Sequence, residues 1–358
     1  MPHITFMIGN GFDLQLGLDT RYDQFLSWYI QQPSASENIK KYKKALSEDR
    51  QSPWWTDAEI AMGKHISSFT TETMPDYYEQ IRDFKVKLAE YLEQQDKRCR
   101  FADRDAIGKS FAAFVSSFQE DILLPRKVSY QFSHYDNSRY SFVTFNYTSV
   151  LNKLIQTLGP DRIVYKTNNK PSGDVYGKID NVIPVHGTLS TSLIMGVNDE
   201  EQIAFPKDKI TPKLKRTLIK PIINSALGRS EEDSARTVIS NSSVIAIYGL
   251  KLGETDIRWK ACVAKWLEND RHYVVIFDHH KLEGVNKVIP EDILDYVHQK
   301  QDAFLKQLYL DISEEQIDSM RDRVFVIDKT RYLDFDILSD LDAKNGGKTG
   351  ERETLVAT

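Results

Sequence analysis

A glycine-rich turn follows the first apolar run of the chain, in the stretch "ITFMIGNGFDLQLG". Gly9 and Gly11 permit backbone conformations and close approaches that other residues resist. The helix expected next offers unpaired amides and a partial positive charge, which together suit a phosphate group. We therefore expect the amides of Gly9 to Phe12 to cradle the phosphates of a nucleotide. The alternative is a tight turn with Asp13 as the helix cap, since Leu14 replaces the last glycine of the G-x-G-x-x-G fingerprint.

Polar residues and a glycine follow three later apolar runs, "YSFVTF", "VIPV" and "SVIAIY". Because ligands bind beyond the carboxyl ends of strands in open parallel sheets, we expect Asn146, Tyr147, His186 and Gly249 to face a site. An asparagine holds a ribose hydroxyl or a water through its donor and acceptor atoms. A histidine acts as a base or an orienting group near neutral pH. The alternatives are structural: Asn146 or Thr148 caps the next helix, and His186 bonds to the backbone.

Two other polar stretches, "FDHH" and "VNDEE", do not lead us to expect a metal ion. The first is similar to the metal-binding motif of a phosphoesterase family, but that family needs an early cluster of aspartates, and here the first strand ends in glycine. The second is typical of a solvated loop. The chain also has no G-x-S-x-G elbow for a serine nucleophile.

Short apolar runs that alternate with helical patterns predict the elements around these residues. Such alternation favours an α/β fold, a parallel sheet with helices on both faces. Between about Ser36 and Leu124 the apolar residues recur at the three- and four-residue spacing of a helix face, so we expect a large all-helical insertion. The predicted domains are residues 1–20 plus 138–335 for the sheet, 21–137 for the insertion, and a disordered tail at 342–358. The predicted strands are "ITFMI", "YSFVTF", "RIVY", "VIPVHG", "SLIMGV", "SVIAIYG", "YVVIF" and "RVFVI".

Composition narrows the class of protein. The 358 residues carry a formal net charge of −5, which argues against a general attraction to nucleic acid or to anionic membranes. Cys99 and Cys262 are isolated and fit a reducing compartment. No stretch reads as a signal peptide or a membrane span. We expect a soluble, cytoplasmic protein.

The same motifs, taken in order, resemble a known superfamily. "GNGFDLQLGLD" aligns without a gap with the sirtuin opening G-A-G-I-S-x-x-x-G-I-P, and "TFNYT", "VHG" and "YGLKLGETD" resemble the later SIR2-like motifs. More closely, "IGNGFDLQLGLDTRYDQF", "FVTFNYT", "HG" and "GLKLGETDI" resemble the AbiH family of bacterial phage-abortive-infection proteins. This likeness covers nearly the whole chain apart from the tail.

The resemblance implies a Rossmann-like, NAD-binding core of the SIR2 type in an antiviral defence protein. By analogy with SIR2-like defence effectors, the implied activity is hydrolysis of NAD to nicotinamide and ADP-ribose, with Asn146 and His186 as catalytic residues. The alternatives are a non-catalytic nucleotide sensor that regulates a partner, and a nuclease-type hydrolase. A phage-derived trigger and a homo-oligomer are the expected partners besides NAD. The residues expected to bind NAD are Gly9, Asn10, Gly11, Phe12, Asp13, Gly17, Tyr147 and Gly249.

The chain also departs from sirtuins. It lacks the four cysteines that hold the zinc ion of sirtuins, which argues against a zinc-bearing deacylase. Asp13 replaces the serine of the opening motif, and a carboxylate beside a pyrophosphate would be repelled. Asp13 is therefore expected to face a ribose hydroxyl, to cap the helix, or to belong to a site for a different ligand.

Overall fold

A computed structural model describes residues 3–99, 101, 107–108, 110–111, 114, 138–159, 163–166, 175–278, 282, 284–309 and 311–327. Its centre is a seven-stranded sheet in the order β3-β4-β2-β1-β5-β6-β7. All neighbouring strands are parallel except the edge pair β3 and β4. The strands are β1 His3–Ile8, β2 Arg139–Thr144, β3 Ile163–Lys166, β4 Val175–Pro184, β5 Val244–Tyr248, β6 Tyr273–Phe277 and β7 Val324–Ile327.

The six parallel strands follow the order of a doubly wound α/β sheet. Counted along the chain without β3, they lie in the order 3-2-1-4-5-6. The direction of winding reverses between β1 and β5, which therefore form the topological switch point. The predicted α/β class and parallel sheet are confirmed.

The predicted strand "SLIMGV" is wrong. Residues 192–197 form a loop whose only ladder contact is a single bridge between Val197 and Ile219. Ile194 donates its amide to the His186 carbonyl, and Met195 and Val197 pack among helices. An apolar run of this length indicates burial, but it does not say whether a sheet or a helix layer buries it.

Helices cover both faces of the sheet. Ile4, Phe6 and Ile8 of β1 face one core, and Met7 faces the other, as the period-two alternation of a strand requires. The helices are α1 Gly11–Gln15, α2 Tyr22–Gln31, α3 Glu37–Glu48, α4 Ala58–His65, α5 Met74–Arg98, α6 Val150–Thr157, α7 Pro212–Leu218, α8 Lys220–Ala226, α9 Glu231–Ser240, α10 Ile257–Leu267, α11 Pro290–Leu308 and α12 Glu314–Arg321. Single 3-10 turns lie at Pro53–Trp55, Ile66–Ser68, Glu200–Gln202, Lys207–Lys209 and Glu254–Asp256.

The described residues between β1 and β2 contain helices and no strand. The apolar stripe of α5, from Tyr77 through Phe84 to Leu92, is buried as its spacing predicts. These helices share a third core with Met195 and with Leu214 and Leu218 of α7. That they form a separate insertion stays a prediction, and the tail at 342–358 lies outside the described residues. Among the helices that are described, none combines the length and the hydropathy that a membrane crossing needs.

Candidate functional site

A cavity of about 990 Å³ lies above the carboxyl ends of β1, β2, β4 and β5. Open α/β sheets bind ligands in this crevice, outside the switch point. Its other walls come from α2, from residues 53–64 and from α5, so the helices between β1 and β2 close it. Among the residues expected at the site, Gly9, Asn10, Asp13, Asn146, Tyr147, His186 and Gly249 line this cavity.

The glycines at the two central strand ends serve a close backbone contact. A Cβ on Gly9 would lie 2.6 Å from the Gly249 carbonyl oxygen, and one on Gly249 would lie 2.6 Å from the Gly11 Cα. Gly249 also has a φ of 58°, a conformation that favours glycine. Only glycine therefore allows the turn after β1 to rest directly on the end of β5.

This contact uses the amides that were expected to hold phosphate. The amide of Gly9 donates to the Tyr248 carbonyl at 3.0 Å, and the amide of Gly11 donates to the Gly249 carbonyl at 2.9 Å. Phe12 donates back to the Gly9 carbonyl at 3.0 Å. Three of the four amides of the predicted phosphate cradle are therefore satisfied within the protein, and α1 is only five residues long.

Three further residues of the opening motif have structural roles. Phe12 is fully buried, and its ring meets the edge of Tyr248, so its side chain belongs to the core and not to the cavity. Gly17 ends α1 at a φ of 77° and lies outside the cavity. The Asn10 side chain exchanges hydrogen bonds with Thr20, donating to its carbonyl and accepting from its hydroxyl, and thereby closes the loop after α1.

Asp13 is held against the end of β2. Its side chain is 1% exposed, and the Thr148 hydroxyl donates to its Oδ2 at 2.7 Å. Burial raises the pKa of Asp13 to about 7, against the opposing effects of the Thr148 hydrogen bond and of the nearby Asn146 amide. Asp13 Oδ1 and Asn146 Nδ2 are both buried and have no hydrogen-bond partner among the described residues. The predicted alternative, in which Asp13 caps the helix, does not hold: Asp13 lies within α1.

His186 lies beyond β4 with its ring between Phe145 and Tyr147, at centroid distances of 5.4 and 5.9 Å. Burial lowers the pKa of its imidazole to about 4, and the nearby ammonium of Lys220 lowers it further. A hydrogen bond with the backbone of Phe145 acts in the opposite direction, as does Glu59. His186 is thus a neutral ring at physiological pH and a weak proton acceptor.

An ion-pair network that the sequence analysis did not predict forms the other side of the cavity. Glu59 of α4 accepts hydrogen bonds from Lys220 Nζ at 2.8 Å and from the Tyr147 hydroxyl at 2.9 Å. Lys220 also lies 4.0 Å from Asp256, whose Oδ2 accepts the Gly253 amide. Burial raises the pKa of Asp256. For Glu59, burial acts to raise the pKa, but Lys220 and the hydrogen bonds outweigh it, so the pKa is lowered.

A signal for this network was present in the sequence. Glu59 stands in the apolar stretch "AEIAM", and Lys220 stands in "LIKPII". A charged residue within an apolar run is rarely buried unless it is paired. Two such residues of opposite charge are therefore candidates for one buried pair, although the sequence gives no indication that they meet across 161 positions.

Basic residues lie at the mouth of the cavity. Arg21, Lys64 and Lys251 are exposed, Lys260 is half-buried, and all four line the opening. None of them pairs with a carboxylate among the described residues. Nowhere among the described residues is a group of three or more His, Cys, Asp or Glu side chains arranged to hold a metal ion.

Comparison with known proteins gives one assignment. No curated protein matches the chain significantly. The family model described as bacteriophage abortive infection AbiH matches residues 5–278, which include every residue expected at the site and the buried Glu59–Lys220 pair. The chain therefore belongs to the AbiH family of bacteriophage abortive-infection proteins.

Proposed function

We propose that this defence protein binds NAD in the cavity above the sheet and hydrolyses it to nicotinamide and ADP-ribose. The observation that carries the proposal is that polar side chains from three strand ends meet in one cavity. Asp13, Asn146 and His186 follow three different strands and line one cavity at the switch point. Its volume of about 990 Å³ suits an extended ligand such as a dinucleotide. Loss of NAD in an infected cell would stop phage replication together with the host, as abortive infection requires.

Charge suggests how NAD would lie. Because three amides of the opening turn are already bonded, we assign the pyrophosphate to the basic residues at the mouth, such as Arg21 and Lys64. The ribose attached to nicotinamide would lie deeper, beside Asn146 and His186. The carboxylates of Asp57 and Asp256 on the far wall favour the positive charge of the nicotinamide ring.

The chemistry needs little acid catalysis. When the glycosidic bond breaks, its electron pair neutralises the cationic nicotinamide, and positive charge develops on the ribose, as in glycoside hydrolysis. The protein has to hold the ribose and place a water at the anomeric carbon. Asn146 is assigned to this positioning. His186 was expected to accept a proton, but its lowered pKa favours a role as a hydrogen-bond partner of a ribose hydroxyl.

The test is direct. The purified protein is incubated with NAD, with and without lysate of phage-infected cells, and free nicotinamide is measured by chromatography. Asn146→Ala and His186→Ala are each expected to slow turnover by about a hundredfold, the scale of a lost positioning or proton-transfer group. Asn152→Ala on α6 and His298→Ala on α11 are matched controls outside the cavity and should retain wild-type turnover.

A non-catalytic nucleotide sensor is the second candidate. The observation that favours it is the low basicity of His186, which makes this residue a better binder than base. A sensor would be stabilised against heat by NAD or ADP-ribose, yet would release no nicotinamide in either lysate condition. Binding of NAD or ADP-ribose without release of nicotinamide would therefore favour the sensor function over the hydrolase function.

A further inference from the structure

Two buried atoms of opposite hydrogen-bonding character are left unpaired at one place in the cavity. Asp13 Oδ1 is an acceptor and Asn146 Nδ2 is a donor, and neither has a partner among the described residues. Both side chains are more than nine-tenths buried and line the cavity. Buried polar groups are nearly always hydrogen-bonded, so such a pair indicates a missing ligand or water.

The pair is complementary to an O–H group. A water or a sugar hydroxyl donates through its hydrogen and accepts through its oxygen. Such a group would satisfy both atoms at once, giving its proton toward Asp13 Oδ1 and accepting from Asn146 Nδ2. The other carboxylate oxygen of Asp13 is fixed by the Thr148 hydroxyl at 2.7 Å, so the free oxygen has a defined orientation.

We propose that Asp13, and not His186, is the proton acceptor for the water that attacks the ribose, and that Asn146 holds this water. The inference rests on the proposed NAD hydrolysis. In the step, the water oxygen forms a bond to the anomeric carbon while the bond from that carbon to the nicotinamide nitrogen breaks. The electron pair of the broken bond moves to the nicotinamide, and the water proton moves to Asp13, which later releases it to solvent.

The relative basicity of the two residues agrees with this geometry. Burial raises the pKa of Asp13 to about 7, whereas burial lowers the pKa of His186 to about 4. A base works best when its pKa lies near the working pH. Asp13 is therefore half-ionised near neutral pH and accepts a proton far better than His186 does.

Charged groups around Asp13 further disfavour its ionised form. Asp96 of α5 raises the pKa of Asp13 by repulsion, and Asp96 is itself paired with Lys153 of α6 at 2.5 Å. The thiol of Cys99 has a raised pKa, through burial and then through Asp13 and Asp96. The other titratable or charged groups that line the cavity include His186, Tyr147, Glu59, Asp57, Asp256 and Lys251, and Lys220 pairs with Glu59 behind them.

The experiment compares pH–rate profiles of NAD turnover from pH 5 to 9 for the full chain and its variants. Wild-type turnover should fall about tenfold per pH unit below pH 7, because the protonated carboxyl group cannot accept a proton. Asp13→Asn should lose about a hundredfold at pH 8 and lose this acid limb. Asp270→Asn, an exposed change outside the cavity, is the matched control and should keep both rate and profile.

Thr148→Val provides a second, independent variant. The hydroxyl bond of Thr148 lowers the pKa of Asp13, so its loss should move the midpoint of the acid limb to higher pH. A merely structural role would lower the rate without moving that midpoint. Nicotinamide release by Asp13→Asn at the wild-type rate, or an unmoved midpoint in Thr148→Val, overturns the role of Asp13 and leaves NAD hydrolysis standing. Failure of the wild type to release nicotinamide under any condition overturns NAD hydrolysis itself.

Discussion

The carboxyl group of Asp13 lies where a carboxylate is costly. It is 1% exposed, receives one side-chain hydrogen bond at Oδ2, and has no basic partner among the described residues. Folding therefore disfavours its ionised form, and the pKa rises from 3.8 to about 7. A residue that reduces stability at neutral pH is typical of a site in which function and folding conflict.

Asp13→Asn should stabilise the protein, and more at pH 8 than at pH 5. Between the unfolded pKa of 3.8 and the folded pKa of about 7, the folded state keeps a proton that the unfolded state has lost. Its stability therefore falls as pH rises through this window, by an amount on the order of 4 kcal/mol in total. The neutral asparagine does not suffer this loss. Melting temperatures of both proteins across this pH range measure the difference.

The matched control for this prediction is again Asp270→Asn. Asp270 is exposed, so its substitution should shift the melting temperature by a similar small amount at every pH. A difference between wild type and Asp13→Asn that does not change from pH 5 to pH 8 would contradict a raised pKa at Asp13.

At the scale of elements, the contact between the turn after β1 and the end of β5 builds the floor of the cavity. Gly249→Ala should destabilise the protein in two ways. Its φ of 58° strains any side chain, at a cost of about 1 kcal/mol or more. The new methyl group would also lie 2.6 Å from the Gly11 Cα, backbone that cannot move aside without displacing β1. We expect a loss of about 2–4 kcal/mol in the free energy of unfolding, from denaturant titration.

Gly228→Ala separates the two causes. Gly228 has a similar φ of 64°, but nothing lies within 4 Å of the position that its Cβ would take. This variant should lose only about 1 kcal/mol, the cost of the left-handed backbone. Equal losses at Gly228 and Gly249 would show that the close contact between the two strand ends contributes nothing.

The opening motif shows what the sequence could predict and what it could not. Its glycines mark a close backbone approach at the switch point, and the structure has one there. The group that approaches the Gly9 backbone in the structure is the backbone of Gly249, which lies 240 positions further along the chain, whereas the motif had suggested a phosphate. Glycine types and spacing report that space is needed, but the occupant of that space depends on which strands become neighbours.

Some of the other site residues could be predicted from the sequence, and some could not. Asn146, His186 and Gly249 were found because residues that follow parallel strands must meet at one edge of the sheet. Glu59 and Lys220 were missed because they come from α4 and α8, and periodicity does not say which helices pack over a sheet edge. The raised pKa of Asp13 depends on burial by several elements together, so no local pattern could have predicted it.

At the scale of the whole molecule, the cavity joins parts of the chain that are far apart in sequence. The sheet supplies Asn146 and His186, and the helices between β1 and β2 supply Glu59 and Leu88. The Glu59–Lys220 pair, buried at 2.8 Å, connects these helices to the segment after β4. Breaking a buried pair is costly, so the two sides should not separate freely.

A ligand in this cavity should therefore stabilise both sides together. NAD or ADP-ribose at about a hundred times its dissociation constant adds about 2.7 kcal/mol to the free energy of unfolding, which raises the melting temperature by several degrees. Hydrogen exchange should slow in the first turn of α4 and in residues 249–256 at the same time, because both line the cavity. Residues 314–321 of α12 lie outside the cavity and serve as the internal control. Protection confined to the strand ends, with α4 exchanging as in the free protein, would mean that the ligand contacts the sheet alone and that the helices do not close the site.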